Sequence, residues 1–431
     1  FSKVGSYTGN ASTNGPMVQT GFQPAFVMIK KTSANDDWFM FDDKRSPTNS
    51  RQKYILANSS NAEADYGNPF LNIYTNGFQP VTTSGAINSG DYIYLAFAAD
   101  GSTATPSLAN SFATKTYTGN GYPSSGNQSI TTGFATDFSW IKNRNVGNTI
   151  VLFDSIRGPG KQLASSNASA QAGFNGTTLT SFDSNGYSVG VEQGVNGGGN
   201  GIVSWNWKAG GTPSINTDGT ITSIVSANQA AGFSIVQYTG GGGIATVGHG
   251  LDSAPQMYIV KSLGHIANWY TYHIGLDGSS PEDYNVRLDQ TDARQDSLSY
   301  WNDTAPTSSV YTIGTTTGVS KSSTDFITYC FTSISGYSKV SSYSGTGAAQ
   351  TITTGFQPGF VMIKRTDSAG NWLIFDSGRG AQYELYANLN DSEYNAGGGS
   401  NSFSATGFTP QTAGAWNLNG ATYIYLAIKE N

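Results

Sequence analysis

Apolar positions along this chain come in short runs, and four of the runs are copies of one another. Gly21-Phe-Gln-Pro-Ala-Phe-Val-Met-Ile-Lys30 returns as Gly355-Phe-Gln-Pro-Gly-Phe-Val-Met-Ile-Lys364, and two weaker versions end in Trp140-Ile-Lys142 and Ile259-Val-Lys261. The runs are strand-sized and rich in aromatic and β-branched residues, so they predict strands. Both alternating faces are apolar, as in the central strands of a sandwich. Each lysine is followed eleven residues later by an aromatic, Phe41, Phe153, Tyr272 or Phe375, which ends a second apolar run. Every copy opens on a strand ending in Tyr7-Thr-Gly9, Tyr117-Thr-Gly119, Tyr238-Thr-Gly240 or Tyr343-Ser-Gly345. Every copy closes on an alternating strand: Tyr92 to Phe97, Ile202 to Trp207, Phe326 to Phe331, Tyr423 to Ile428.

About six to eight short strands per copy, separated by Gly, Asn and Ser turns, match the spacing of a β-sandwich. The expected architecture is all-β, with four tandem antiparallel β-sandwich, jelly-roll-like domains. Their bounds fall at 1–98, 112–209, 233–332 and 333–431. Linkers are expected at 99–111 and 210–232, the second with a strand of its own in Thr220-Ile-Thr-Ser-Ile-Val225. The one stretch suited to a helical turn is 57–63. Short joints favour an extended rod of domains, with the third and fourth docked at a fixed angle. Phe1-Ser-Lys-Val4 matches Tyr337-Ser-Lys-Val340, which opens the fourth copy, so a slice of a longer protein is expected.

Composition narrows the partners. Of 431 residues only 12% are charged, 54 are glycine, and the formal net charge is −6. The basic residues form no run and no face, which argues against nucleic acid. No apolar stretch approaches the roughly 20 residues of a spanning helix, so no membrane insertion is expected. Cys330 is the single cysteine, so no intrachain disulfide forms; it stands where Ala96 and Ala427 stand and reads as a small buried strand residue. Absence of disulfides fits folding in a cytoplasm.

The strongest chemical pattern recurs with the repeats. It is a lysine, a Trp eight residues on, the aromatic at eleven, Asp at twelve and Arg at fifteen: Lys30, Trp38, Phe41, Asp42, Arg45, and again Lys364, Trp372, Phe375, Asp376, Arg379. The second copy keeps Lys142, Asp154 and Arg157 but has Ile150 for the Trp; the third keeps Lys261 and Trp269 but has His273 and Leu276. In a hairpin, Lys and the residue eight further on face each other, with the stem across the ring and Asp and Arg closing the next loop. Four identical active sites in tandem make a poor enzyme, so the set reads as scaffold.

Other candidates are weaker. His249, His265 and His273 cluster in the third copy, but His273 stands in the Asp position and reads as a hydrogen-bonding replacement; no metal and no cofactor are expected. Gly186-Tyr-Ser-Val-Gly190 fits G-x-S-x-G but lies in a β unit with no helix after it. No pair of carboxylates stands out for glycoside cleavage. Tyr300, Trp301 and Trp416 are aromatics the repeat does not demand, which makes them candidate sugar platforms.

Several segments resemble a repeat domain of virion proteins of marine tailed phages, especially cyanophages. They include Gly232-Phe-Ser-Ile-Val-Gln-Tyr-Thr-Gly240, His249-Gly-Leu251, Ile259-Val-Lys261, Trp205-Asn-Trp-Lys-Ala-Gly-Gly211 and Gly355 to Trp372. The resemblance spans nearly the whole chain and brings no catalytic or binding residues with it. It implies a virion structural protein, made in the host cytoplasm: a tail fibre or similar appendage touching the host. The alternatives are a capsid or tail decoration protein and a secreted carbohydrate-binding adhesin. Implied partners are other virion proteins, a host cell-surface glycan, and further copies of the chain, with a trimer expected for a fibre.

Overall fold

Period-2 alternation sets which face each strand buries, and the closing strand of each repeat organises a sheet around itself. In a computed structural model describing residues 2–98, 110–174, 176–397, 401–410 and 414–430, one strand order recurs four times. An opening strand pairs with the closing strand, which pairs with the lysine strand, then the aromatic strand, an outer strand and a two-residue edge strand. In the first repeat these are Ser2–Asn10, Ser89–Ala98, Pro24–Lys31, Trp38–Asp42, Lys53–Leu56 and Ala64–Asp65. In the fourth they are Ser338–Ser344, Thr422–Ile428, Phe360–Arg365, Trp372–Asp376, Tyr383–Tyr386 and Tyr394–Asn395. The second and third repeats follow the same order. The third adds Ser223–Asn228 outside its opening strand Phe233–Thr239, so the extra strand lies slightly later than its sequence suggests.

A small sheet covers one face of each large one. It has three strands in the first, second and fourth repeats and the pair Ala245–Gly248 with Val310–Ile313 in the third. Between the two sheets lies a private core, such as Val27, Ile29, Phe41, Phe78 and Tyr92 in the first repeat. The fold is therefore an all-β, antiparallel sandwich type. Residues 57–63 form no helix; among the described residues the helical turns are Gln193–Asn196, Leu298–Trp301, Thr317–Ser320 and the 3-10 turn Pro281–Asp283.

The tyrosine and glycine that end each opening strand have structural causes. Tyr7, Tyr117, Tyr238 and Tyr343 donate their hydroxyls to Ile87 O, Val195 O, Val319 O and Trp416 O at 2.6–2.7 Å. The adjacent backbone then passes so close that a Cβ on Gly119 would lie 2.1 Å from Gly197 O, and one on Gly345 2.2 Å from Leu418 O.

Four repeats make two compact units. One holds the first repeat with Thr212–Ile215; the other holds the remaining three repeats. In the first unit, Thr75 N donates to Pro213 O at 2.7 Å and Asn76 Oδ1 accepts from Ile215 N at 2.7 Å, so part of the segment expected as a linker is bound. Most of the expected linker 99–111 lies outside the described residues. The second unit corrects the expectation of a rod. Repeats two to four are not beads in a row: the outer faces of their large sheets meet in one continuous core that includes Trp205, Tyr329, Trp269, Phe360 and Trp372. The lysine strands are apolar on both faces because one face packs inside its sandwich and the other against neighbouring repeats.

Candidate functional site

The recurring side chains converge where repeats two to four join. The aromatic strand pairs with the lysine strand as a hairpin, placing Lys364 opposite Trp372 and Lys30 opposite Trp38. In the third repeat the Lys261 ammonium lies 5.8 Å from the centroid of the Trp269 ring. Each buried ammonium is shared between its own repeat and the next. Lys142 Nζ donates to Asn148 O and to Asn390 O of the fourth repeat. Lys261 donates to Ala267 O and, at 3.0 Å, to Ala168 O of the second; Lys364 donates to Arg365 O and, at 3.1 Å, to Thr291 O of the third. Burial holds all three lysines down to about 8, since a dry environment penalises the charged form.

The same cycle appears in other bonds. Trp269 Nε1 donates to Ala164 O and Trp372 Nε1 to Arg287 O, both at 2.9 Å. Where Ile150 replaces the Trp, Ser165 Oγ crosses the joint instead, donating to Ala387 O at 2.7 Å. Three equivalent backbone bonds run the other way: Gln171 N to Leu263 O, Arg294 N to Thr366 O and Glu393 N to Arg144 O, at 2.8–3.1 Å. The second repeat thus reaches the fourth, the fourth the third, and the third the second. The ring is closed.

Asp and Arg cap the aromatic strand and present a carboxylate to the neighbour. Asp154 accepts Arg157 N at 2.9 Å and Arg157 Nε at 2.5 Å; Asp376 accepts Arg379 N at 2.9 Å and Arg379 Nε at 2.7 Å. Both pairs are almost fully buried. Each carboxylate takes one further donor from the closing strand of the next repeat: Tyr329 hydroxyl on Asp154 at 2.8 Å, Trp205 Nε1 on Asp376 at 2.9 Å. At the third joint the position of Tyr329 and Trp205 is held by Leu426, which has no donor. The facing loop carries His273 rather than Asp. Gly275 N donates to its Nδ1 at 2.9 Å, which leaves Nε2 as the donor to Tyr425 O at 3.1 Å. Burial drives its pKa to about 4, so it sits there neutral. With no carboxylate to balance, Leu276 replaces the arginine. A buried charge without a partner is costly, so within repeats two to four Asp, Arg and the neighbour's donor change together.

The proposed sugar platforms are corrected. Trp301 has no exposed surface: Tyr258 packs edge to face on it at 4.9 Å, and its Nε1 donates to Tyr284 O at 3.0 Å. Trp416 is 5% exposed and fills the core position held by Ile87, Val195 and Val319 in the other repeats, beside Tyr386 at 6.1 Å. Tyr300 is half-buried, its ring 5.1 Å from Tyr270. Covered rings offer no face to a pyranose. Trp416 carried a signal, since aligning it with those aliphatic residues marks it as core.

The histidines take separate duties. His249 binds Thr307 O and Leu251 N at 3.1 Å, and His265 pairs with Ser262 Oγ at 2.6 Å. Among the described residues no three His, Cys, Asp or Glu side chains gather where they could hold a metal ion. Cys330 is buried, and burial pushes its thiol well up. Ser188 lies within the strand Gly186–Val189 and donates to Asp183 at 2.8 Å, with no sharp turn to expose it. Sequence reasoning missed the buried Asn88, Asn196 and Asn417. Their Oδ1 atoms accept Asn10 N, Asn120 N and Thr346 N at 2.9–3.1 Å, and tie the end of the opening strand down. Their signal was an Asn just after the position of Trp416 in three repeats.

The chain belongs to a family described as a domain of unknown function, DUF7483, whose model matches residues 1–100 and 107–431. No curated protein matches it.

Proposed function

Starting from a family without an assigned activity, we propose that the chain is a virion structural protein, a tail fibre or similar appendage that touches the host surface. The observation that carries this reading is where the recurring polar side chains go. Lysines, Asp–Arg pairs and tryptophans of repeats two to four are built into joints between repeats. Such a chain invests its chemistry in cohesion. A low-charge surface of hydroxyls and amides and the resemblance to virion repeats support the same role. A host glycan remains the proposed outer partner, met by polar surface other than Tyr300, Trp301 and Trp416. Weak contacts gain strength when several bodies are displayed together.

The test is electron microscopy of purified particles labelled with antibody against this chain, together with an adsorption assay. Label on a protruding appendage, and adsorption blocked by the purified chain, are expected. Label spread over the shell would make it a decoration protein. Absence from particles, with glycan binding by the soluble chain, would make it a secreted adhesin and sink the proposal.

A further inference from the structure

The face that closes the ring in repeats two to four also exists in the first repeat, where it is open. Phe97 there is 46% exposed, and its counterparts Trp207, Phe331 and Ile428 are at most 6%. Ile93 is 40% exposed against at most 1% for Val203, Ile327 and Ile424. Val4 is 73% exposed, while its counterpart Val340 is 3%. The polar hooks are present and half used. Lys30 donates to Asp36 O of its own repeat at 2.5 Å and makes no second bond among the described residues, whereas Lys142, Lys261 and Lys364 each add a carbonyl of a neighbour. Trp38 is half-buried, and its Nε1 has no acceptor among the described residues, unlike Trp269 and Trp372. Arg45 Nη1 is buried without a partner, where the corresponding Arg379 atom binds Glu393 at 2.9 Å.

From this we infer that the first repeat closes the same ring with two further copies of itself, one from each of two other chains. The occupant is a second copy rather than an unrelated protein, because both sides of the joint are present on this one repeat. Lys30 and Trp38 supply the donor side. The carbonyls of Ser60 and Leu56 align with the acceptors Asn390 and Ala164 and supply the other. The contact is head-to-tail, so a dimer leaves one hook side and one acceptor side unfilled. The rotation that relates repeats two to four returns to its start after three steps, and the same rotation applied to the first repeat gives a threefold assembly. Leu95 stands where Leu426 stands, so it brings no donor to Asp42. None is needed, since Asp42 already accepts Lys44 N, Arg45 N and Arg45 Nε. Glu63, which aligns with Glu393, pairs with Lys53 at 3.2 Å and lies 4.0 Å from Arg45 Nε, within reach of the unpartnered guanidinium nitrogen. This inference stands apart from the virion reading; a trimer formed by a soluble adhesin satisfies it equally.

The experiment is light scattering and sedimentation velocity of the full chain over a wide concentration range. Wild type is expected at the mass of three chains. Ile93→Asp with Phe97→Asp, at positions open to solvent in the single chain, is expected to run as one chain with its thermal transitions retained. Lys30→Met keeps the apolar face and removes the ammonium; it is expected to weaken the trimer by about tenfold or more, as a charged hydrogen bond is lost. A wild-type chain that is monomeric or dimeric throughout overturns the inference, as does a trimer that survives the Asp pair. Should the Asp pair unfold the repeat, Lys30→Met decides alone, and an unchanged trimer is then fatal.

Discussion

The first and fourth repeats carry many of the same side chains in opposite circumstances. Phe26, Met28, Lys30, Trp38 and Leu95 are only partly covered, while Phe360, Met362, Lys364, Trp372 and Leu426 are buried. Their hairpins share one register, and both Asp–Arg caps form. What differs is the neighbour. A sheet with an apolar outer face is locally complete, but its energetics are set by what covers that face. The same Asp–Arg pair is a modest surface ion pair in one repeat and an indispensable buried one in the other.

The contrast can be broken by substitution, with first-repeat variants measured where the chain is dilute and monomeric. Asp376→Ala takes the carboxylate away from Arg379 Nε and Trp205 Nε1 in a dry joint, leaves Arg379 to Glu393, and should cost about 3 kcal/mol. Asp42→Ala, at a pair with side chains 19% and 25% exposed, should cost about 1 kcal/mol or less. Urea denaturation reads both, and equal losses would erase the distinction. Trp372→Ala should cost about 3–5 kcal/mol through cavity formation, and Trp38→Ala far less; thermal melting followed by tryptophan fluorescence checks this. Normal melting of Trp372→Ala would remove the packing claim.

Acid sharpens the comparison. His273 is held near 4 in the fold, against about 6.5 in an unfolded chain. The unfolded state therefore binds the extra proton first. The stability of the three-repeat unit is intact above about pH 6.5 and falls as pH drops toward 4, by up to about 3 kcal/mol. The first repeat, with no histidine, should lack this component, and His273→Leu should make the curve shallower, the remainder coming from His249 and His265, whose pKa values burial also lowers. The smallest effect is a coupling. His273→Asp alone should destabilise, because Leu426 offers the new carboxylate no donor. Adding Leu426→Tyr and Leu276→Arg should recover about 1 kcal/mol or more, in a mutant cycle on urea midpoints. Strict additivity would mean that the joint residues act independently.

Much of this was legible before the structure. The lysine, aromatic and closing strands follow from alternation and turn residues, and the Lys-to-Trp spacing of eight correctly predicts their cross-strand pairing. The swap to His273 at the Asp position was visible too. Its cause was not, because the reason is Leu426 on another repeat. Strands apolar on both faces read as sandwich centres, and sequence offers no way to tell an inner sheet face from a face buried against a neighbouring repeat. That ambiguity produced the rod. Trp301 misled for a related reason: a bulky aromatic the repeat does not demand looks like a platform until its turn, Leu298–Trp301, is seen folded into the core.

A linear stack of repeats has two free ends and accepts one more unit at either. The closed cycle of lysines and carbonyls in repeats two to four has no ends. Each donor has its acceptor, and a further copy spliced into the gene would arrive at a full house. An array of this kind cannot be lengthened or shortened by single repeats without tearing open a joint. Its natural currency of growth is the set of three.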